Sequence, residues 1–588
     1  MGAATPTDPA FETLTSLLDR RAATQASDLA YAFLAARGEV EARITFGQLA
    51  TRSRGLAMAI AAHARPGDRA ALVFGPGLDF VVAYFGCLYA GVVPTPLMPP
   101  RRLATRDSSE AILRDCRPAV ILTTRAVLSG PLSHARARLA EFPAPWIAVD
   151  DPIESLASRG LAHAPAREDL ALLQYTSGST SDPKGVMVTH ANLLANLDMI
   201  RLALGNDRSS TYACWMPLYH DMGLILNVLQ ALHAGAACLL MAPSHFVQRP
   251  LDFLAIIDRH RVVVAGMPNF GYDLCVDRYR ADQAGNLDLS SWKVAFNGAE
   301  PVNAGTIHRF QRTYARHGFD PNAFYPCYGM AEATLLASGG LRGAGPKLLR
   351  PNCAALLNGR AAIASDQADS RTLVGCGKAL VGESIAIVDP DTGLPAAVFE
   401  VGEIWLQGPN VASGYLGKPV ETMETFGAEI SVASGKWLRT GDLGFLDDEG
   451  ELYVAGRLKD VIIIRGTNHY PQDLERTASG AHAELMANAA AAFAIDGDRG
   501  TELLVIVQEV QRVHRRDIDI EDVKGCIREA VASEHELSVH SIALIAPGTL
   551  PRTSSGKVRR RLTRELWQDG RFDWIDIGSD SGRSPPGE

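Results

Sequence analysis

The sequence predicts an α/β protein with a large N-terminal domain of layered α/β subdomains, a β-rich subdomain and a small α+β C-terminal domain. Through the first half, apolar runs of strand length alternate with segments of helix length. From about residue 374, short β-like runs separated by Asp/Gly turns replace this alternation. The 588 residues are too many for one hydrophobic core, and this length favours about two to four domains.

The alternation is clearest where Arg69–Phe74 predicts a strand, Leu78–Ala90 a helix and Val92–Pro96 the next strand. Repeated strand–helix–strand units predict largely parallel sheets. Gly91 and Gly235 stand where helices are expected to end. A further helix is predicted from Met222, and further strands are predicted at Ala119–Thr123, Leu170–Tyr175, Tyr212–Met216, Ala236–Met241, Val262–Met267 and Val294–Asn297.

The second half divides into two predicted units and a tail. The β-rich subdomain, about 374–457, completes a large domain of residues 1–457 and contains the β-like runs Glu383–Asp389, Gly402–Gln407 and Glu451–Val454. The small domain, 458–576, is predicted to contain strands Leu503–Glu509 and Ile542–Ala546 and helix Ile520–Val531. Residues 577–588 are rich in Gly, Ser and Pro, which is typical of disorder.

Composition excludes several classes of protein. With 66 acidic and 57 basic side chains, the net charge of −9 argues against a nucleic-acid binder. The nine dispersed cysteines indicate reduced thiols and not a disulfide framework. Mean hydropathy is +0.01, and the apolar run Val228–Pro243 is interrupted by polar residues, so no stable membrane insertion is expected. The N-terminus lacks a signal-peptide pattern, and we expect a cytoplasmic protein.

The segment 175–185, Tyr-Thr-Ser-Gly-Ser-Thr-Ser-Asp-Pro-Lys-Gly, predicts a phosphate-holding loop. Small residues let backbone N–H groups approach phosphate oxygens, and hydroxyls add donors. Lys184 adds a mobile positive charge. No Gly-Lys-Ser/Thr opens a helix here, so this is not the loop of a P-loop NTPase. The chain has only nine lysines, and Lys184, Lys459 and Lys557 lie in segments that look functional on other grounds.

The loop resembles the phosphate-loop motif of the adenylate-forming enzymes, which include acyl-CoA synthetases, luciferases and peptide-synthetase adenylation domains. Five further motifs follow in the order typical of that family, so the resemblance covers nearly the whole chain. They are Asn297-Gly-Ala-Glu300, Tyr328-Gly-Met-Ala-Glu332, Thr440-Gly-Asp442, Gly456-Arg-Leu-Lys-Asp460 and Pro551-Arg-Thr-Ser-Ser-Gly-Lys557.

The resemblance implies ATP and Mg²⁺ as cofactors and assigns residues to them. Lys184, Glu332 and Lys557 are the implied catalytic residues, with Lys557 bridging the substrate carboxylate and the α-phosphate. Thr180 and Glu332 are the implied Mg²⁺ ligands, Lys459 is the hinge between the domains, and Asp442 and Arg457 bind the ribose. The other nucleotide-binding residues are Thr176, Ser177, Gly178, Ser179 and Thr180 at the phosphates and Gly298, Ala299, Glu300, Tyr328, Gly329 and Met330 around the adenine.

These residue types suit the reaction. A carboxylate must attack the α-phosphorus of ATP while pyrophosphate leaves, and the two anions repel each other. Mg²⁺ and lysines neutralise that charge and align the groups, so no protein nucleophile is required.

Four stretches resemble the fatty acyl-AMP ligases, which make acyl-adenylates for carrier proteins of polyketide and lipopeptide assembly lines. This implies a fatty acid and an acyl carrier protein, or a carrier domain of a polyketide or non-ribosomal peptide synthase, as partners. Residues 343–372, which lack a clear helical or strand period, resemble the insertion of that subfamily, which packs toward the small domain. The four stretches are 179–188, 217–223, 267–275 and 464–473.

An apolar pocket for the acyl chain is predicted around His220, Asp221, Met222, Met267 and Phe270. A Leu/Met stripe is more often plain core, and chain length cannot be read from it. Because a carboxylate can pair with an α-ammonium group, Asp221 leaves an amino acid as an alternative substrate. The competing interpretations are an acyl-CoA synthetase, a standalone amino-acid adenylation enzyme and a non-catalytic adenylate-binding protein.

The run from Lys557 to Leu562 is mostly basic. Its ordinary interpretation is a solvated helix face. Its functional interpretation is docking of an acidic carrier protein through Arg559, Arg560 and Arg561.

Overall fold

The computed structural model describes most of the chain in a series of segments. All structural statements below concern these segments: 11–35, 38–99, 108–130, 133–139, 142–151, 163–176, 183–363, 371–431, 433–464, 467–496, 502–515, 518–535, 537–553, 556–572 and residue 575. The predicted tail, 577–588, lies outside the described residues.

The first sheet has four strands, all paired in parallel. Three of its strands are mostly apolar and almost fully buried, as expected when helices cover both faces of a parallel sheet. Helix Asp79–Ala90 joins two of them and ends at Gly91, whose φ of 71° is the left-handed conformation that glycine adopts freely. In spatial order the strands are Val93–Leu97, Arg69–Val73, Val120–Thr123 and Trp146–Ala148.

The second sheet has nine strands and carries most of the predicted site. Six central strands pair in parallel, and the edge strands pair antiparallel. The predicted parallel α/β layers are therefore confirmed, whereas the N-terminal hairpin Leu29–Thr45 was not predicted. In spatial order the strands are Lys378–Ala379, Leu336–Gly339, Phe324–Gly329, Val294–Asn297, Val264–Gly266, Tyr212–Cys214, Cys238–Met241, Leu29–Leu34 and Val40–Thr45.

Helices of the large region surround these sheets. Helices Phe46–Ala61 and Asp79–Ala90 approach closely at Gly86, where a Cβ would lie 2.9 Å from Leu56 Cδ2. The other helices are Leu14–Thr24, Ser108–Cys116, Arg125–Leu128, Ser133–Arg138, His190–Leu204, Pro243–Gln248, Pro250–Arg259, Asn269–Asp277, Ala281–Ala284 and Ala304–Tyr314, with 3₁₀ turns at Ala315–His317, Pro321–Ala323 and Ala331–Ala333.

The helix predicted from Met222 is not a uniform α-helix. It begins as Asp221–Gly223, widens to a π-helix at Leu224–Leu229 and returns to an α-helix at Gln230–Ala234. Gly235 ends it with a φ of 70°, as predicted. Single π-helical turns are frequent at functional sites, and this one directly follows the predicted substrate residues.

The β-rich subdomain contains a five-stranded antiparallel sheet, and the predicted strands are present. Preceding it, residues 343–363 contain helix Cys353–Leu357, where the sequence showed no clear period, and one strand of a two-stranded ladder whose other strand follows at residues 373–374. The strands of the ladder are Leu348–Leu349 and Leu373–Val374; those of the sheet are Ser384–Val388, Gly402–Gln407, Ala428–Ile430, Ala433–Leu446 and Leu452–Arg457, with helix Pro419–Phe426.

The C-terminal region, defined here as residues 459–575, has a three-stranded sheet with apolar clusters on both faces. The two predicted strands and the predicted helix are present, but strand Leu485–Asp496 was missed because its alanines carry little β-propensity. The elements are a hairpin of Ile462–Ile464 and Thr467–His469, strands Leu485–Asp496, Glu502–Val510 and Val539–Ile545, and helices Pro471–Gly480, Ile520–His535 and Arg560–Gln568.

Two exclusions drawn from composition can be compared with the structure. All nine cysteines are free thiols, as predicted. No helix among the described residues is long and apolar enough to cross a membrane.

Candidate active site

The predicted phosphate loop connects two antiparallel strands, Leu170–Thr176 and Lys184–Thr189. Thr176 pairs with Lys184 at the end of the hairpin nearest the loop. Tyr175 packs closely on Gly185 across this hairpin, since a Cβ on Gly185 would lie 2.8 Å from Tyr175 Cζ. The Tyr175 hydroxyl also donates a hydrogen bond to Asp115 at 2.5 Å, which fixes the ring in place. Ser177, Gly178, Ser179 and Thr180 lie outside the described residues.

Tyr415, which the sequence did not single out, connects two predicted catalytic residues. Its hydroxyl donates to Glu332 Oε1 at 2.8 Å, and the Lys184 ammonium lies 4.8 Å from the centroid of its ring. Glu332 is buried in the 3₁₀ turn Ala331–Ala333, and burial raises its pKa despite the bond from Tyr415. A buried carboxylate beside a phosphate loop is the hard oxygen ligand that Mg²⁺ prefers.

The predicted adenosine-binding residues follow two adjacent parallel strands, Val294–Asn297 and Phe324–Gly329. Parallel strands present their carboxyl ends at one edge of the sheet, where α/β proteins usually bind nucleotides. The backbone there is tight, because a Cβ on Gly329 would overlap the carbonyl oxygen of Leu335 at 1.8 Å. The structure brings together at this edge Gly298, Ala299, Glu300, Tyr328, Gly329 and Met330.

Asp442 connects the residues predicted to bind the adenine with those predicted to bind the ribose. The Tyr328 hydroxyl donates to Asp442 Oδ2 at 2.9 Å, and Arg457 Nε lies 3.6 Å from Asp442 Oδ1. Asp442 and Arg457 are directly opposite each other on paired strands. Burial raises the pKa of Tyr328, and Asp442 raises the pKa of Arg457, so both side chains keep their protons. Removing either partner would leave a partly buried carboxylate under-satisfied.

A narrow, mainly apolar pocket lies beside the adenosine edge. Trp215 stacks on Phe246 with ring centroids 3.9 Å apart and meets Phe270 edge-on. Met267 is buried in the core against Gly271 and is not among the pocket residues. Trp215 was missed because a tryptophan next to a buried strand gives no sign of facing a cavity. The lining consists of Trp215, Met216, Pro217, His220, Met222, Pro268, Phe270 and Ala299.

His220, which lines this pocket, forms one unit with its neighbour Asp221. His220 Nδ1 lies 2.6 Å from Asp221 Oδ1, and the Met222 backbone N–H donates to the same carboxylate oxygen at 2.7 Å. Burial raises the pKa of Asp221, but the adjacent His220 outweighs burial and the net pKa is lowered, so the carboxylate stays ionised. Asp221 is thus engaged within the protein, which weakens its interpretation as a partner for a substrate ammonium.

Lys557 reaches this site from the C-terminal region. The turn that carries it closes with Thr553 N–H donating to Lys557 O at 2.8 Å and Lys557 N–H donating to Thr553 Oγ1 at 3.0 Å. Gly556 packs on Phe270, since a Cβ there would lie 2.8 Å from the ring. Burial raises the pKa of Glu300, and the positive charge of Lys557 opposes that rise. The same charge adds to the effect of His220 in lowering the pKa of Asp221, so Lys557 acts on a carboxyl group at the adenosine edge and on one next to the pocket residue His220.

At Arg560, the structure contradicts both interpretations of the basic run, the solvated helix face and the carrier-docking surface. This guanidinium is largely buried, donating to Asp460 at 2.9 Å and to both oxygens of Glu475 at 2.6 and 2.8 Å. Neither a solvated face nor a carrier-docking surface includes it. Asp460 belongs to the 3₁₀ turn Leu458–Asp460 that contains the predicted hinge Lys459, so Arg560 fastens the C-terminal helix to that turn.

The predicted insertion contacts the C-terminal region. Arg371 pairs with Asp473 at 2.7 Å, and both side chains are about nine-tenths buried, at 9% and 11% exposed. The guanidinium of Arg371 also lies 5.6 Å from the centroid of the Tyr470 ring. An apolar cluster continues the contact through Leu356, Ala361, Leu373, Leu443, Phe445, Tyr453, Ala455 and Tyr470.

Comparison with known proteins decides the family. The AMP-binding enzyme family model matches residues 18–416, and a model described as the AMP domain of Disco-interacting protein 2-like proteins matches residues 459–576. The chain belongs to the AMP-binding enzyme family. It is 42% identical to the medium-chain-fatty-acid–[acyl-carrier-protein] ligase JamA of Moorena producens, over 98% of this chain and 99% of that protein. It is 36% identical to the long-chain-fatty-acid–AMP ligase FadD32 of Mycolicibacterium smegmatis, over 96% and 95%.

Solved structures agree with this grouping. A fatty acyl-adenylate ligase from a study of the E. coli and L. pneumophila enzymes matches with a TM-score of 0.84 and 33% identity, over 95% of this chain and 98% of that one. The L. pneumophila fatty acyl-adenylate ligase in complex with acyl adenylate and pyrophosphate matches with a TM-score of 0.74 and 36% identity, over 98% and 99%. The chain has the adenylate-forming fold and is a member of the fatty acyl-AMP ligases.

Proposed function

We propose that this ligase activates a medium- or long-chain fatty acid with ATP and passes the acyl group to the phosphopantetheine thiol of an acyl carrier protein in a polyketide or lipopeptide pathway. The observation that carries the proposal is the convergence of Lys557 on the apolar pocket and on the adenosine edge. The 42% identity to an enzyme named for medium-chain fatty acids and acyl carrier protein supports the choice of both partners. Since ATP is the co-substrate, we propose the cytoplasm as its location.

In the first step, a carboxylate oxygen of the fatty acid attacks the α-phosphorus, and the bond to the pyrophosphate oxygen breaks. Lys557 offsets the charge of the carboxylate and the α-phosphate as they approach. Lys184 and the loop hold the leaving pyrophosphate, and His220 orients the carboxylate end. Thr180 and Glu332 would hold Mg²⁺, which when bound supplies charge neutralisation at the phosphates.

In the second step, the carrier thiol loses its proton and attacks the acyl carbonyl, and AMP leaves. We propose that the regions divide between residues 457 and 458 and that Lys459 is the hinge between them. The Arg371–Asp473 contact supports the interpretation that the insertion restrains this hinge.

The alternative that a specific observation favours is acyl-CoA synthesis. The chain is 34% identical, over 96% of its length, to a putative fatty-acid–CoA ligase of Mycobacterium tuberculosis. Incubation with ATP and a panel of fatty acids, with CoA or with phosphopantetheinylated carrier protein, separates the two by mass spectrometry. We expect acyl-AMP in all reactions and acyl-carrier product with the carrier. Rapid formation of acyl-CoA would contradict the proposal, and activation of amino acids would point to the third interpretation.

A further inference from the structure

Asp273 is a buried carboxylate on the helix that also carries Phe270 of the pocket. Within the large region it accepts hydrogen bonds from the Thr306 hydroxyl, at 3.0 Å, and from the Arg309 guanidinium. Its remaining partner belongs to the C-terminal region, where Asn488 Nδ2 donates to Asp273 Oδ2 at 3.0 Å. Asp273 therefore binds across the boundary between the two regions, next to the predicted substrate pocket.

Asn488 has a left-handed backbone conformation, which is uncommon for a residue with a side chain. It lies in strand Leu485–Asp496, at an irregularity in the pairing between Leu485 and Ala490, and its φ is 55°. Asparagine and aspartate adopt this left-handed conformation more readily than other residues with a side chain. The irregularity frees the Asn488 carbonyl oxygen from the ladder, and Arg552 Nη2 donates to it at 2.6 Å.

Arg552 completes a connection to the catalytic turn. Its Nη1 donates to the Gly556 carbonyl oxygen at 2.8 Å, immediately before Lys557. A chain of three hydrogen bonds thus runs from Asp273 through Asn488 and Arg552 to the peptide group that carries Lys557. Gly556 of this turn also packs on Phe270 of the large region, a contact that limits how closely the turn approaches but supplies no directional bond.

We propose that Asp273 and Asn488 are positioning residues for the adenylate-forming step, setting the turn so that Lys557 reaches the reacting carboxylate and α-phosphate. This inference rests on the proposed function, because it assigns the contact to one half of that reaction. A hydrogen-bonded chain suits this task better than an apolar contact, because it is directional and can be broken and re-formed when the C-terminal region moves. A displacement of about 1 Å at a catalytic group costs about 100-fold in rate.

The decisive experiment exchanges the two residues. Asn488→Asp places a carboxylate against Asp273 while keeping a residue that tolerates the left-handed backbone. Asp273→Asn in the same chain restores one donor and one acceptor with the polarity reversed. Asp277→Asn is the matched control. Asp277 lies on the same helix and also accepts a hydrogen bond from Arg309, at 3.3 Å. Among the described residues it makes no hydrogen bond or ion pair with the C-terminal region.

Two rates are measured for each variant. Adenylate formation is followed by pyrophosphate release with a fatty acid that the unmodified enzyme activates, and transfer is followed from chemically prepared acyl-adenylate to phosphopantetheinylated carrier protein. We expect Asn488→Asp to lower kcat for adenylate formation about 100-fold with little change in the KM for ATP, to leave transfer near its normal rate, and to recover at least tenfold with Asp273→Asn.

Equal loss of both rates, or no recovery in the exchanged variant, would overturn the proposal, because a purely structural contact predicts that pattern. Hydrogen exchange of the turn 551–558 gives a readout independent of turnover. We expect faster exchange in Asn488→Asp and a return toward normal in the exchanged variant, and unchanged exchange would also overturn it. Failure of the proposed function itself is distinguishable, since the unmodified enzyme would then form no acyl-AMP.

Discussion

Two contacts of the C-terminal region with the rest of the chain, both among the described residues, differ in character. On the insertion side, a buried ion pair between Arg371 and Asp473 borders an apolar cluster around Tyr470. On the pocket side, Gly556 packs on Phe270 and the bond between Asn488 and Asp273 crosses the boundary. The first contact contains none of the predicted catalytic residues, whereas the second adjoins Lys557. We therefore expect the first contact mainly to hold the C-terminal region in place and the second mainly to position Lys557.

The largest effect is expected on the pocket side from Lys557→Ala. Loss of a charge-stabilising donor lowers the rate about 10²–10³-fold. Adenylate formation, measured by pyrophosphate release, should nearly disappear while ATP binding measured by calorimetry is retained. The exposed Lys436, paired with Glu429 at 2.6 Å, serves as the control when changed to Ala. Near-normal pyrophosphate release from Lys557→Ala would remove Lys557 from the catalytic residues.

On the insertion side we expect Arg371→Ala to reduce stability more than catalysis. Removing one partner of a buried ion pair typically costs about 3 kcal/mol, because it leaves the other charge buried. Thermal unfolding should shift downward, while adenylate formation at low temperature changes less than threefold. With CoA supplied, acyl-CoA formation should rise because the C-terminal region is less restrained.

The control for that variant lies in the same insertion. Arg360 pairs with Glu400 at 3.0 Å, but its side chain is 73% exposed. Arg360→Ala should therefore cost less than about 1 kcal/mol. A similar loss of stability in both variants would show that burial of the Arg371 pair has no special effect.

Gly556→Ala tests the pocket-side contact by adding a single methyl group to it. The added Cβ would lie 2.8 Å from the Phe270 ring, so the turn must move away from the pocket. We expect adenylate formation to fall about tenfold, less than the loss for a 1 Å displacement because the ring can partly yield. Gly548→Ala is the matched control, since Gly548 has a similar left-handed φ, 79° against 86° for Gly556, but a Cβ there would meet no atom within 4 Å. Equal activities of the two variants would contradict a role for the Phe270 contact.

The smallest expected effect is a pH dependence on the insertion side. The His535 ring accepts or donates a bond to the Thr477 hydroxyl at 2.8 Å, and burial lowers its pKa below the usual value near 6.5. Below about pH 6.5 the unfolded chain binds a proton that the folded protein refuses, so stability falls as pH decreases, by at most about 1.4 kcal/mol per unit.

His535→Gln should flatten this slope in denaturant titrations between about pH 5 and 7. The exposed His308, changed to Gln, is the control. An unchanged slope in His535→Gln would show that this histidine does not contribute to the acid sensitivity.

Local patterns in the sequence were enough to predict the layered α/β architecture and the order of the site motifs, because strand and helix periodicity and turn residues act locally. It correctly placed helix ends at Gly91 and Gly235, since a left-handed φ favours glycine wherever it occurs. The family followed from motifs in order along the chain. The roles of Thr180 and its neighbours in the loop remain predictions, because residues 177–182 lie outside the described residues.

The side chains that connect the predicted residues could be identified only from the folded chain. Tyr415 binds Glu332 from 83 positions away, and Asn488 binds Asp273 from 215 positions away. Arg560 was misread as part of a surface run because its partners Asp460 and Glu475 are distant in sequence. Such contacts depend on how elements pack, and neither periodicity nor local propensity contains that information.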